Sequence, residues 1–92
     1  MFVWDESKRL RNLRKHGIDF ADAEGVFRGF TVTAEDDRER YGEQRFLTLG
    51  QLGDQVVSIA HTERGDVIRL ISIRKATRHE ARFYFTQVPY RP

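Results

Sequence analysis

Three strand-like runs joined by two tight turns constrain this chain more than any other feature. Residues 45–52, 55–63 and 66–74 are rich in β-branched and apolar side chains, which suit a pleated, half-buried surface. Gly53-Asp54 separates the first two runs and Arg64-Gly65 the last two. Glycine supplies the positive φ that tight hairpin turns demand. Connections this short permit only antiparallel pairing. The chain must therefore hold an antiparallel meander, and its apolar face needs a cover.

The cover comes from upstream. Met1 to Trp4 reads as a short edge strand. Asp5 is placed to cap a helix over residues 6–16, and Gly17 to end it in a left-handed conformation. Leu10 and Leu13 give that helix a narrow apolar stripe. Asp19 opens a second helix with Phe20, Ala23, Val26 and Phe27 at helical spacing, closed by Gly29. Phe30 to Thr33 is strand-like, and an acidic loop runs to Gly42. Residues 76–85 favour a terminal helix, and Pro89 and Pro92 end the order. The expectation is an α+β fold: an antiparallel sheet with two N-terminal helices packed on one face and a C-terminal helix. The 92 residues make one domain, 1–92.

Composition excludes several classes. With 39% hydrophobic and 33% charged residues, wholesale disorder is excluded. No apolar run is long enough to span a bilayer, and the N-terminus lacks a secretory signal. No cysteine is present, so disulfides and thiolate catalysis are excluded, which suits the cytoplasm. No glycine-rich phosphate loop, G-x-S-x-G or H-E-x-x-H occurs, so no cofactor is implied. Three histidines at unrelated spacing carry no zinc signature.

The net charge is only +2, but it is segregated. Residues 8–16 are basic without one acid, residues 35–43 are mostly acidic, and arginines recur from 64 to 82. If Arg64-Gly65 is a two-residue turn, Glu63 pairs with Asp66. His61 then lies opposite Ile68, Ile59 opposite Leu70 and Val57 opposite Ser72. That register puts His61, Ser72 and Arg74 on one face and Arg69 on the other. A bulge in the loop would break this assignment.

Each basic feature has two readings. Lys15-His16 either complements the dipole of a helix C-terminus or binds phosphate and carries a proton. His61 is either a satisfied strand residue or a proton carrier. Arg69, Arg74 and Lys75 either pair with Glu63, Asp66 or Glu80, or use arginine's forked geometry on phosphate. Asp36, Asp37 and Glu39 lack the spacing of a metal site and suit a loop held by Arg38 or Arg40.

Six segments then stand out together. They are F-x-W-D-E at 2–6, N-x-x-K-H-G-I-x-F at 12–20, A-x-x-V-F at 23–27, D-R-x-x-Y-G-E-x-R at 37–45, H-T-E-R-G at 61–65 and R-L-I-S-I-R-K-A-x-x-x-E-x-x-x-Y at 69–84. In this order they resemble the BrnT family of type II toxin–antitoxin ribonuclease toxins. Ile73 stands where a small residue is usual. The resemblance implies a RelE-like fold and a cytoplasmic bacterial or archaeal RNase that halts translation without metal. It also implies a BrnA-like antitoxin, DNA-binding and ribbon-helix-helix-like, through which alone operator DNA is reached. For cleavage the sequence offers His61 or His16 for proton transfer and Arg64, Arg69, Arg74, Lys75 and Lys15 for phosphate. Glu80 would orient an arginine, and Tyr84 would stack on a base, donate a proton or fill the core. The competing function is a non-catalytic basic module that binds antitoxin, nucleic acid or ribosome.

Overall fold

A computed structural model describes residues 1–89. Strand β1 (Phe2–Val3) leads into helix α1 (Glu6–His16), a 3-10 turn (Phe20–Asp22) and helix α2 (Ala23–Arg28). Strands β2 (Val32–Asp36), β3 (Arg45–Leu52), β4 (Gln55–Arg64) and β5 (Val67–Lys75) follow, then helix α3 (Arg78–Gln87). Pro89 lies past α3, and Pro92 is outside the described residues.

The local signals are obeyed. Asp5 accepts hydrogen bonds from the amides of Ser7 and Lys8, and Gly17 closes α1 at φ 71°. Thr77 and Glu80 form a reciprocal capping box at the start of α3. Asp19 caps only the 3-10 turn, through the Ala21 amide, so α2 is shorter than its sequence pattern.

The sheet order is β1-β5-β4-β3-β2. The meander β2–β5 is antiparallel, as its tight turns require. The sheet as a whole is mixed, because β1 joins β5 in parallel through Phe2 opposite Ile68 and Val3 opposite Arg69. This corrects the all-antiparallel expectation. A parallel partner brought from the far end of the chain leaves no local trace. The core joins Ile18, Phe20, Ala23 and Val26 to Val57, Ile59, Leu70 and Ile73 of the sheet. Gly50 lies in that layer, where a Cβ would come within 2.5 Å of a Val26 methyl.

α1 does not bury its leucines. Leu10 and Leu13 are exposed, and the one buried α1 residue is Asn12. The Asn12 amide nitrogen donates to the carbonyls of Ile18 (3.0 Å) and Ile73 (2.9 Å), and its oxygen accepts from the Ile73 amide (3.0 Å). The side chain thus acts as the next strand's peptide group on the β5 edge, where β1 has already ended.

The final hairpin departs from the expected register. Its turn is Gly65-Asp66, with Gly65 at φ 61°, so Arg64 pairs with Val67 and His61 with Leu70. The register then shifts: Ala60 pairs with Ser72, Ile59 with Ile73 and Ser58 with Arg74, leaving Ile71 as an extra residue. His61 therefore shares the core face with Ile59, Leu70 and Ile73. Arg69, Ser72 and Arg74 share the opposite face. Arg69 is opposite His61 as expected, but one bulge moves Ser72 and Arg74 from the His61 face to the Arg69 face.

Candidate nucleic-acid interface

α1 carries Lys8, Arg11, Asn12, Lys15 and His16 at i, i+3, i+4, i+7 and i+8, which is one helical face. Asn12 fastens that face to β5. Beside it opens a cleft of about 270 Å³, lined by these five residues with Ile71 and Ser72. Four of the liners are basic types and none is acidic. Among the described residues, Lys8, Arg11, Lys15 and His16 make no ion pair. Like charges gathered without a carboxylate repel one another, so the cleft suits an anion. Its β5 wall is made by the bulge, which brings Ile71 and Ser72 to the edge.

Arg38, Arg45, Arg69 and Arg74 are in a different electrostatic state, because each is tied to an acid. Arg74 forms a two-pronged pair with Glu80 at 2.8 and 3.0 Å. The Arg74 guanidinium, with help from the Thr77 amide, lowers the Glu80 carboxyl to about 2. Arg69 donates to both oxygens of Glu43 at 2.7 Å and holds that carboxyl below its usual range. Arg45 lies 4.1 Å from the Tyr41 ring centroid and also reaches Glu43. Arg38 grips Asp36 through two nitrogens, at 2.7 and 2.9 Å, and lowers it to about 2.

Three of the candidate residues are committed to the fold. His61 is fully buried, with Phe27 edge-on at 5.4 Å and Phe46 stacked at 5.9 Å. Its Nε2 is 2.7 Å from Thr48 Oγ1, which in turn meets Thr33 Oγ1 at 2.7 Å. Its Nδ1 has no hydrogen-bond partner, and burial pushes the imidazole below its ordinary pKa. Tyr84 is 1% exposed and donates its hydroxyl to the Phe30 carbonyl at 2.8 Å, so its ring has no free face for a base. Glu80 is spent on Arg74 and on the α3 cap.

The remaining candidates are accessible. Lys15 and His16 meet in the α1 cleft. Arg64 and Arg69 meet in a second cavity at the β4–β5 hairpin, and Lys75 is exposed at the end of β5. Lys8, Arg11 and Asn12 were not among the sequence candidates, although their helical spacing from Lys15 and His16 was visible in the acid-free run 8–16.

The family model described as the ribonuclease toxin BrnT of type II toxin–antitoxin systems matches residues 4–80. The chain belongs to this family. It is accordingly a ribonuclease toxin with an antitoxin as its partner. No curated protein matches it significantly. The matched span includes the toxin's whole α1 cleft, its bulge and both members of the Arg74–Glu80 pair. Among the described residues, no helix is long and apolar enough to cross a membrane. Nor do three or more histidine or acidic side chains gather there to hold a metal ion.

Proposed function

We propose that the toxin cuts RNA in the α1 cleft, without a metal ion, by attack of a ribose 2′-hydroxyl on the adjacent phosphorus. The His16 imidazole takes the 2′-hydroxyl proton as the new P–O bond forms. Lys15, Lys8 and Arg11 balance the charge that builds on the phosphoryl oxygens. The P–O5′ bond then breaks, and the leaving oxygen takes a proton from solvent at the open mouth of the cleft. The products are a cyclic phosphate and a free 5′-hydroxyl. This is RelE-like chemistry in that base, acid and cations replace a metal.

The observation that carries this reading is the convergence of four basic side chains on one cleft with no acid among its liners. Arg74 contributes by anchoring α3 to the sheet rather than by touching phosphate. Purified toxin with RNA in excess EDTA tests the scheme. Cleavage persists, and His16→Ala slows it by about 10²–10⁴-fold. Lys15→Ala reduces the slope of log affinity against log salt by about 0.7 for single-stranded RNA. Loss of cleavage with chelator, or full activity in His16→Ala, would overturn the mechanism.

In the cell the same reading makes the toxin a cytoplasmic inhibitor of translation. Its neutraliser is a BrnA-like antitoxin that carries the DNA-binding function and reaches operator DNA for the complex. An acidic or amphipathic antitoxin segment covering the cleft satisfies Lys8, Arg11 and Lys15, which RNA would otherwise meet.

A further inference from the structure

The two edges of the sheet are finished differently. On the β5 side, β1 covers Ile68 and Arg69, and the Asn12 amide covers Ile73. The other edge is β2, five residues long. Among the described residues its backbone pairs with β3 alone, which leaves its outer N–H and C=O groups without partners. Thr33, Ala34 and Glu35 are exposed. Such an edge is a template for another strand.

The two sides of this edge differ in chemistry. Val32 pairs with Leu49, Leu49 with Ser58 and Ser58 with Arg74, whose guanidinium meets Glu80 of α3. Val32 and Ala34 therefore lie on the α3 side of the sheet. On that side Phe30 and Phe85 both rest against the Tyr84 ring, at 5.9 and 5.3 Å, yet are 40% and 54% exposed. The Tyr84 hydroxyl holds the Phe30 carbonyl, which fixes this apolar ledge at the start of β2. Glu35 lies on the opposite side, paired with Phe46. Among the described residues Glu35, Asp37 and Glu39 make no ion pair, whereas Asp36 is held by Arg38. Within residues 35–40 only Arg40 opposes these three acids, so the edge is acidic.

That charge selects the occupant. A second copy joined through β2 would bring two acidic strands together with nothing to offset them. RNA is repelled for the same reason. Acids alone would suffice to protect an edge from pairing, but exposed phenyl rings beside it do the opposite. A strand with cations on one side and apolar side chains on the other satisfies both features.

We infer that the antitoxin attaches at β2 by adding a strand to the sheet, basic where it meets Glu35 and apolar where it meets Phe30 and Phe85. Main-chain hydrogen bonds to β2 hold the strand, and its alternate side chains give selectivity. β2 lies three strands from β5, about 14 Å at the usual spacing. The attached strand is therefore distinct from any antitoxin segment that covers the α1 cleft. The inference rests on the family's antitoxin as partner, and not on where RNA is cut.

Amide hydrogen exchange by NMR tests this, on the full ¹⁵N-labelled chain alone and in its complex with the antitoxin. Every second amide from Val32 to Asp36 exchanges fast in the free toxin and slows by about tenfold or more in the complex. Phe85→Ala weakens antitoxin binding by about fivefold or more, as loss of an apolar anchor does. Glu35→Lys weakens it by about three- to tenfold, through like charges facing across the strands. Both side chains are exposed, so the circular dichroism of each variant matches the wild type. Unchanged exchange along β2 in the complex overturns the inference. So does the same protection in concentrated free toxin, which means that a second copy occupies the edge. Undiminished affinity in Glu35→Lys refutes the basic strand. Full affinity in both variants, with Lys15→Glu abolishing binding, places the antitoxin on the cleft alone.

Discussion

Asn12 offers the sharpest test of how α1 is held. It is 6% exposed, and its one amide makes three hydrogen bonds, two of them to the same residue on β5. Asn12→Ala removes all three and leaves the Ile73 amide and two carbonyls facing a small void. A hydrogen bond contributes about 0.5–1.5 kcal/mol net, and an abandoned buried group costs about 1–3 kcal/mol. Water from the adjacent cleft recovers part of that. The expected loss is therefore about 2–4 kcal/mol, a large share of the stability of a small domain. Urea unfolding followed by circular dichroism should show a lower midpoint with an unchanged slope. Asn12→Asp should cost at least as much. It keeps the acceptor for the Ile73 amide but sets a carboxylate oxygen against the carbonyls of Ile18 and Ile73. If Asn12→Ala unfolds within about 0.5 kcal/mol of wild type, Asn12 is not a strand surrogate. A change in RNA affinity at unchanged stability would assign it to the ligand instead.

Two further predictions concern pH. Arg74 lowers the Glu80 carboxyl from 4.5 to about 2. The pair's stabilisation is complete above pH 4.5 and is lost as pH falls from there towards 2. Both side chains retain some exposure, so a double-mutant cycle with Arg74→Ala and Glu80→Gln should give about 1–2 kcal/mol at pH 7. A coupling of the same size at pH 2 would contradict the pair. His61 is depressed below 6.5 by burial, with Glu63 opposing in part. The unfolded chain therefore protonates first as pH falls through 6.5, and stability declines on the acid side. His61→Gln should flatten the stability profile between pH 7.5 and 5. An unchanged profile would mean that another group sets it.

What could be read from the sequence was local. Asp5 and Gly17 delimit α1, Gly53-Asp54 forms the β3–β4 turn, and the β4–β5 pairing follows from adjacency. Contacts between distant segments could not be read. They include β1 beside β5, Asn12 on Ile73, and Thr48 on His61. One miss was avoidable. Gly65-Asp66 repeats the dipeptide Gly53-Asp54, and both glycines take positive φ at the first turn position. Reading the two turns alike moves the hairpin by one residue and pairs Arg64 with Val67.

Even that corrected register leaves Arg74 on the wrong face, and the reason lies at one position. Without a bulge, Leu70, Ser72 and Arg74 would all point to one side by the period of two. Leu70 belongs to the core, so Ser72 and Arg74 would be driven into it. The guanidinium would then be buried without the Glu80 that now holds it. The extra residue Ile71 resolves the conflict, since after it Ile73 enters the core and Arg74 meets α3. The same residue lines the α1 cleft next to Ser72. Sheet stability and cleft shape thus depend on a single insertion in β5. Deleting Ile71 would exchange the faces of Ser72, Ile73 and Arg74 together, so the core and the cleft cannot be altered separately there.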